Sequence, residues 1–141
     1  MKIGVAAIAC ALLWSCGRAP EQLPVKVAHL PPTAKDVVEA ALASASVALQ
    51  DESCKTAGTE AGDRTIGRYL SGFLAEQSNP NAKNSITTSV QPQNAGGEDV
   101  YICRLMIRHA DGEDVWSWGL EFAVKKDGTV VRTSYRCVGA G

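Results

Sequence analysis

A chain of 141 residues with 45% hydrophobic and 21% charged side chains lies in the range of ordinary globular domains and is too short for two sizeable cores. Its formal net charge of -1 lacks the broad basic field that displaces counterions from DNA or RNA, so nucleic acid is not an expected partner. At the N-terminus, Lys2 precedes an uncharged run from Ile3 to Trp14, the basic start and apolar stretch of an export signal. That run stops at Ser15, Cys16, Gly17 and Arg18, short of the about 20 apolar residues that cross a bilayer.

The end of the run, Leu13, Trp14, Ser15 and Cys16, resembles the lipobox of bacterial lipoproteins: an aliphatic residue, a variable one, a small one, then the cysteine that becomes lipidated. The resemblance covers this signal alone. It implies a signal peptide over residues 1–15, lipidation of Cys16, and attachment to a membrane through fatty chains, each buried methylene adding about 0.8 kcal/mol. Gly17 in place of an aspartate implies, among Gram-negative lipoproteins, sorting to the outer membrane with the domain facing the periplasm. Two other readings use the same residues: Cys10, preceded by Ala7, Ile8 and Ala9, as the modified cysteine, and a plain secretory signal cleaved near Ala19.

Residues 16–32 carry Pro20, Pro24, Pro31 and Pro32 and are expected to form an extended tether, since proline fixes φ and favours polyproline conformations. A single domain is expected over 33–141. Thr33 with Asp36 forms a capping arrangement, and Val38, Leu42, Ala45 and Leu49 share a stripe that predicts a first helix to about Asp51. A polar connection with Gly58 and Gly62 follows. Ile66, Tyr69, Leu70, Phe73 and Leu74 then recur at three and four, capped by Asp63 and stopped by Ser78, Asn79 and Pro80, predicting a second helix. Gly67 and Gly72 inside it point to close backbone approach.

From Lys83 the period changes to two. Ile86, Thr88 and Val90 predict a short strand ended by Pro92 and the Gly96, Gly97 pair. Asp111-Gly112 and Asp127-Gly128 are hairpin signals flanked by alternating residues, so a three-stranded meander follows. Two-residue turns set Tyr101 opposite Phe122, Cys103 opposite Leu120, Leu105 opposite Trp118 and Ile107 opposite Trp116. In the second hairpin, with Lys126 opposite Thr129, Leu120 meets Tyr135 and Trp118 meets Cys137. The large apolar side chains paired in this way then all fall on one face.

With Cys10 removed and Cys16 lipidated, Cys54, Cys103 and Cys137 remain in an oxidising compartment, where one disulfide is expected. Cys103 and Cys137 sit on strands separated by a third, about 9.5 Å apart by sheet spacing, beyond the about 7 Å that a disulfide spans. Cys54 is therefore a partner, with Cys137 preferred and Cys103 the alternative. Zinc spacing is missing from these cysteines. His29 and His109, the two histidines, have no nucleophile and orienting acid placed beside them, Gly96-Gly97 opens no phosphate-binding helix, and Asp111, Glu113 and Asp114 are too few for a calcium loop. No enzyme and no cofactor are expected.

The same register puts Arg104, Gly119 and Arg136 in one outward row, Ile102, Glu121 and Ser134 in the next, and Val100, Ala123 and Arg132 in a third. Three arginines around small residues, with Met106 beside them, form a candidate partner-binding patch, since arginine and methionine are enriched at protein interfaces. As a plain solvated face, the same residues leave Glu121 bridging diagonally to Arg132 and Arg136. The element order predicts an α+β domain, two helices packed on one face of a three- to four-stranded antiparallel meander. That layout is similar to the helix–helix–sheet units of β-lactamase inhibitor proteins and of a small outer-membrane assembly lipoprotein, a likeness of order only; a cone-shaped fold similar to nuclear transport factor 2 is the alternative. The expected function is a lipid-anchored protein-binding module of the bacterial envelope, an inhibitor or immunity protein or an accessory subunit of an assembly. The alternative is a small-ligand carrier with a pocket under Trp116 and Trp118.

Overall fold

The computed structural model describes residues 23–49, 54, 65–76, 84–111 and 113–140. The expected signal, Cys16, the Asp63 cap and Gly112 lie outside the described residues, as do the side chains of Phe73, Leu74 and Trp116. Two helices, α1 (Ala34–Ala43) and α2 (Ile66–Glu76), precede a four-stranded antiparallel sheet of β1 (Asn84–Ala95), β2 (Glu98–Asp111), β3 (Asp114–Lys125) and β4 (Arg136–Ala140) in the order β1-β2-β3-β4, an α+β arrangement.

Helix α1 starts where its capping residues dictate. The Thr33 hydroxyl accepts from the Asp36 N–H, and Asp36 Oδ2 accepts from the Thr33 N–H at 2.8 Å and the Thr33 hydroxyl at 2.6 Å, a reciprocal box with Asp in place of the longer Glu. The helix ends at Ala43, eight residues before the expected Asp51, and its buried residues are Asp36, Val37, Ala40 and Ala41. Leu42, on the expected stripe, is 40% exposed. Alanines on several faces make the helical stripe ambiguous, and the face that turns inward is the one whose small side chains permit the closest approach. Gly67 in α2 serves the same end: a Cβ there would lie 3.0 Å from both Cβ and O of Ala45, and its N–H donates to Ala45 O at 2.8 Å.

β1 is twelve residues long, not the short strand expected, and runs past Pro92 to a two-residue turn in which Gly96 and Gly97 take φ of 60° and 86°. That left-handed backbone suits glycine and a tight hairpin. The β2–β3 register departs from expectation by two residues: Asp111 opposes Asp114, so Cys103 faces Phe122, Leu105 faces Leu120 and Ile107 faces Trp118. The turn apex has moved one residue along the chain. Because the shift is even, each side chain keeps its face.

The β3–β4 connection is corrected more deeply. Lys125 N–H bonds Thr129 O, closing a three-residue turn with Gly128 at φ 84°, and a 3-10 turn at Arg132–Ser134 is inserted before β4. Ser134 explains the insertion: its hydroxyl donates to Val131 O at 2.6 Å and accepts from Ala123 N–H at 2.8 Å, replacing ladder bonds with local ones. Leu120 therefore opposes Cys137, and Glu121 opposes Arg136.

Cys103, Leu105, Ile107, Leu120, Phe122 and Val124 join Val37, Ala40, Ala41, Ile66 and Leu70 in one buried cluster. The Phe122 and Tyr135 rings lie 4.9 Å apart, and the Tyr135 hydroxyl donates to buried Ser44 Oγ at 2.6 Å. Part of the expected tether is bound to the domain: Val27 N–H donates to Gly128 O, and Val130 N–H to Val25 O, both at 2.9 Å. Alternation in Val25, Lys26 and Val27 gives this stretch strand character that its prolines conceal. Cys54 and Cys137 form a disulfide with Cα atoms 5.0 Å apart. Cys103 is a buried free thiol, pushed up to about 12 by that burial.

Candidate functional site

The outward side of β2, β3 and β4 carries a row that none of the expected rows contains. Glu121 stands directly between Arg104 on β2 and Arg136 on β4. Its Oε2 accepts from Arg104 Nε at 3.0 Å and Nη2 at 2.5 Å; its Oε1 accepts from Arg136 Nε at 2.7 Å and from Arg136 Nη2. The carboxylate is buried while the guanidinium groups are about half exposed, 48% and 60%. Burial pushes the Glu121 carboxyl up, but hydrogen bonds and charge from both arginines outweigh it and leave the group below its ordinary value. The trio carries one net positive charge. Each arginine binds Glu121 through Nε and Nη2, which leaves the Nη1 end of each fork directed elsewhere.

Small residues form the floor. A Cβ on Gly119 would lie 2.0 Å from Leu105 O and 2.8 Å from Met106 Sδ, so only glycine fits beneath the methionine. Beside the row lies an open hollow of about 490 Å³ whose walls include Val100, Ile102, Ala123, Ser134 and Arg136. Arg104, Arg136, Glu121 and Met106 are thus brought together, as the sequence leads one to expect. Arg132 is not. The 3-10 turn carries it away, and it lines a separate hollow with Ser46, Val47, Ala48, Thr133 and Tyr135.

The direct Arg–Glu–Arg contact was legible only through the correct turn, because the diagonal geometry follows from an apex placed one residue early. A second polar cluster, around Asp36, extends beyond the expected cap: Oδ1 accepts from Ala28 N–H at 3.2 Å, and His29 Nδ1 lies 3.0 Å from Oδ2. Bonds from Thr33 hold this carboxyl well below the usual range. All its partners serve the start of α1. Trp118 is half-buried against the core cluster.

Compared with known proteins, the chain matches no protein-family model, no curated protein and no solved structure. Among the described residues, no helix is long and apolar enough to cross a membrane.

Proposed function

We propose that this chain is a lipid-anchored protein-binding module of the bacterial envelope, whose docking surface is the outward sheet face around Arg104, Glu121, Arg136 and Met106. In this reading the two helices cover the apolar face and leave the other free. The observation that carries it is the Glu121 carboxylate, which holds two arginines side by side on a floor of small residues. Guanidinium groups ordered before contact lose less freedom on binding, and a desolvated arginine anchor costs about 2 kcal/mol or more on truncation.

The anchor rests on the Leu13–Cys16 signal and is tested by fatty-acid labelling, which Cys16→Ser is expected to abolish while moving the protein out of the membrane fraction. The docking face is tested by affinity capture from envelope extract with the chain and with Arg104→Ala/Arg136→Ala. A partner held by the first and lost by the second supports the proposal. Equal capture by both moves the interface elsewhere.

A further inference from the structure

The two edges of the sheet are finished differently. β4 is five residues long and tied by the Cys54–Cys137 disulfide. β1 is twelve residues long, and among the described residues no strand or isolated bridge pairs with its far side. Open edges are usually blunted by charge, by brevity or by proline. Asn84–Ala95 contains no charged residue, and its single device is Pro92.

The direction of the backbone groups along this edge follows from the turn. Ala95 and Glu98 flank a two-residue glycine turn and so form a hydrogen-bonded pair, after which bonded and non-bonded pairs alternate. Gln93, Gln91, Ser89, Thr87 and Ser85 therefore turn their N–H and C=O toward β2. Pro92, Val90, Thr88 and Ile86 turn theirs toward the open edge. Pro92 agrees independently, since a residue without an N–H is tolerated where no ladder bond is made. The edge thus offers three consecutive alternate residues, Ile86, Thr88 and Val90, each with a donor and an acceptor, and ends at Pro92.

The segment Ser85–Gln91 reads Ser-Ile-Thr-Thr-Ser-Val-Gln. Laid antiparallel on itself with Thr88 as centre, it sets Ile86 against Val90, Thr87 against Ser89 and Ser85 against Gln91. Apolar meets apolar, hydroxyl meets hydroxyl, and no like charges meet. Ile86 and Val90 already pack on the core, and a hollow of about 430 Å³ lined by Ala34, Lys35, Val38, Glu39, Ile86 and Thr88 lies beside this edge, with Lys35 and Glu39 paired to one another. Val90 from an incoming strand would arrive next to Ile86 at that hollow.

We infer that β1 is a self-pairing edge: two copies of this chain join through antiparallel β1 strands about a two-fold axis at Thr88, forming one continuous eight-stranded sheet. Such an interface is isologous and closes on itself, so it consumes the open edge without leaving another. It rests on the backbone edge and not on the arginines, although Thr87 and Ser89 lie opposite Met106 and Arg104 on the outward face.

The test is cysteine cross-linking in cells that express the full chain in a Cys103→Ser background. Residues at the centre of a bonded antiparallel pair have Cα atoms about 5.5 Å apart, within disulfide range. Thr88→Cys is expected to give a covalent dimer on oxidation with copper–phenanthroline, and Ser85→Cys, six residues from its own counterpart in this register, none. Adding Thr87→Lys/Ser89→Lys sets lysines opposite one another on an exposed face and is expected to reduce the Thr88→Cys dimer at least tenfold. Val90→Pro removes an edge-facing donor without touching the β2 ladder and is expected to do the same. Retention of the Cys54–Cys137 disulfide by each variant reports that it has folded. No dimer from a folded Thr88→Cys variant, equal dimer from Ser85→Cys, or a dimer indifferent to the lysines overturns the inference.

Discussion

The two faces of the sheet are stabilised by different physics. On one face Leu105, Ile107, Leu120 and Phe122 are removed from water and contribute through apolar burial and close packing, which no single polar contact directs. On the other, the buried charge of Glu121 is tolerated because two arginines meet its oxygens. A buried ion pair contributes little net stability relative to an apolar core but specifies geometry where it holds. One face therefore secures the fold, and the other secures an arrangement of guanidinium groups. Substitutions on the two faces should separate accordingly.

The largest effect is expected from Phe122→Ala, about 3–5 kcal/mol of unfolding free energy measured by urea titration. A value under about 1 kcal/mol would mean that the apolar face is not the principal source of stability. Gly119→Ala follows, at about 1–3 kcal/mol or more, because its methyl group would run into the Leu105 carbonyl; thermal unfolding should show it even though the residue faces outward. Tyr135→Phe leaves the Ser44 hydroxyl buried without this donor and should cost about 1–3 kcal/mol. Arg104→Ala or Arg136→Ala is expected to cost about 1–2 kcal/mol, since each removes the donors on one oxygen of the buried Glu121 carboxylate while the other arginine stays. The smallest contrast is with pH. The Glu121 and Asp36 carboxyls are both held below their ordinary values, so they bind fewer protons folded than unfolded. Their contributions are complete above the unfolded carboxylate range and are lost as the pH falls through the depressed folded values. The urea midpoint should therefore keep falling below about pH 4, and less steeply in Glu121→Gln.

Facing was legible in the sequence because a period of two assigns each residue to a side whatever its exact partner. Register was not, since Asp111-Gly112 and Gly112-Glu113 are neighbouring ways to close the same hairpin and both keep Cys103, Leu105 and Ile107 inside. Topology excluded a Cys103–Cys137 bridge, since β3 lies between them in either register, and left Cys137 or Cys103 as the partner of Cys54; the structure joins Cys137 to it, the preferred choice. The 3-10 insertion left no signal in hydrophobic pattern, because it depends on what one hydroxyl, that of Ser134, bonds. Displacement of Arg132 and the direct seat of Glu121 both follow from these local turns. In α1 the alanines left two stripes open, and tertiary contact chose between them.

The Cys54–Cys137 bond, with a sequence separation of 83 residues, also divides the domain mechanically. It turns the backbone between those cysteines into a closed ring that includes α2, β1, β2, β3 and the start of β4, while Val25–Val27 and α1 belong to a tail outside it. Tension applied upstream of Val25 meets the Val25 and Val27 hydrogen bonds first, then the Asp36 cluster and the Tyr135–Ser44 bond. On reaching Cys54 it passes through sulfur to Cys137 in β4, where the pairing with β3 resists it. A pull from the N-terminal side can therefore strip α1 from the domain while the covalent ring keeps β1, β2 and β3 linked to Cys137.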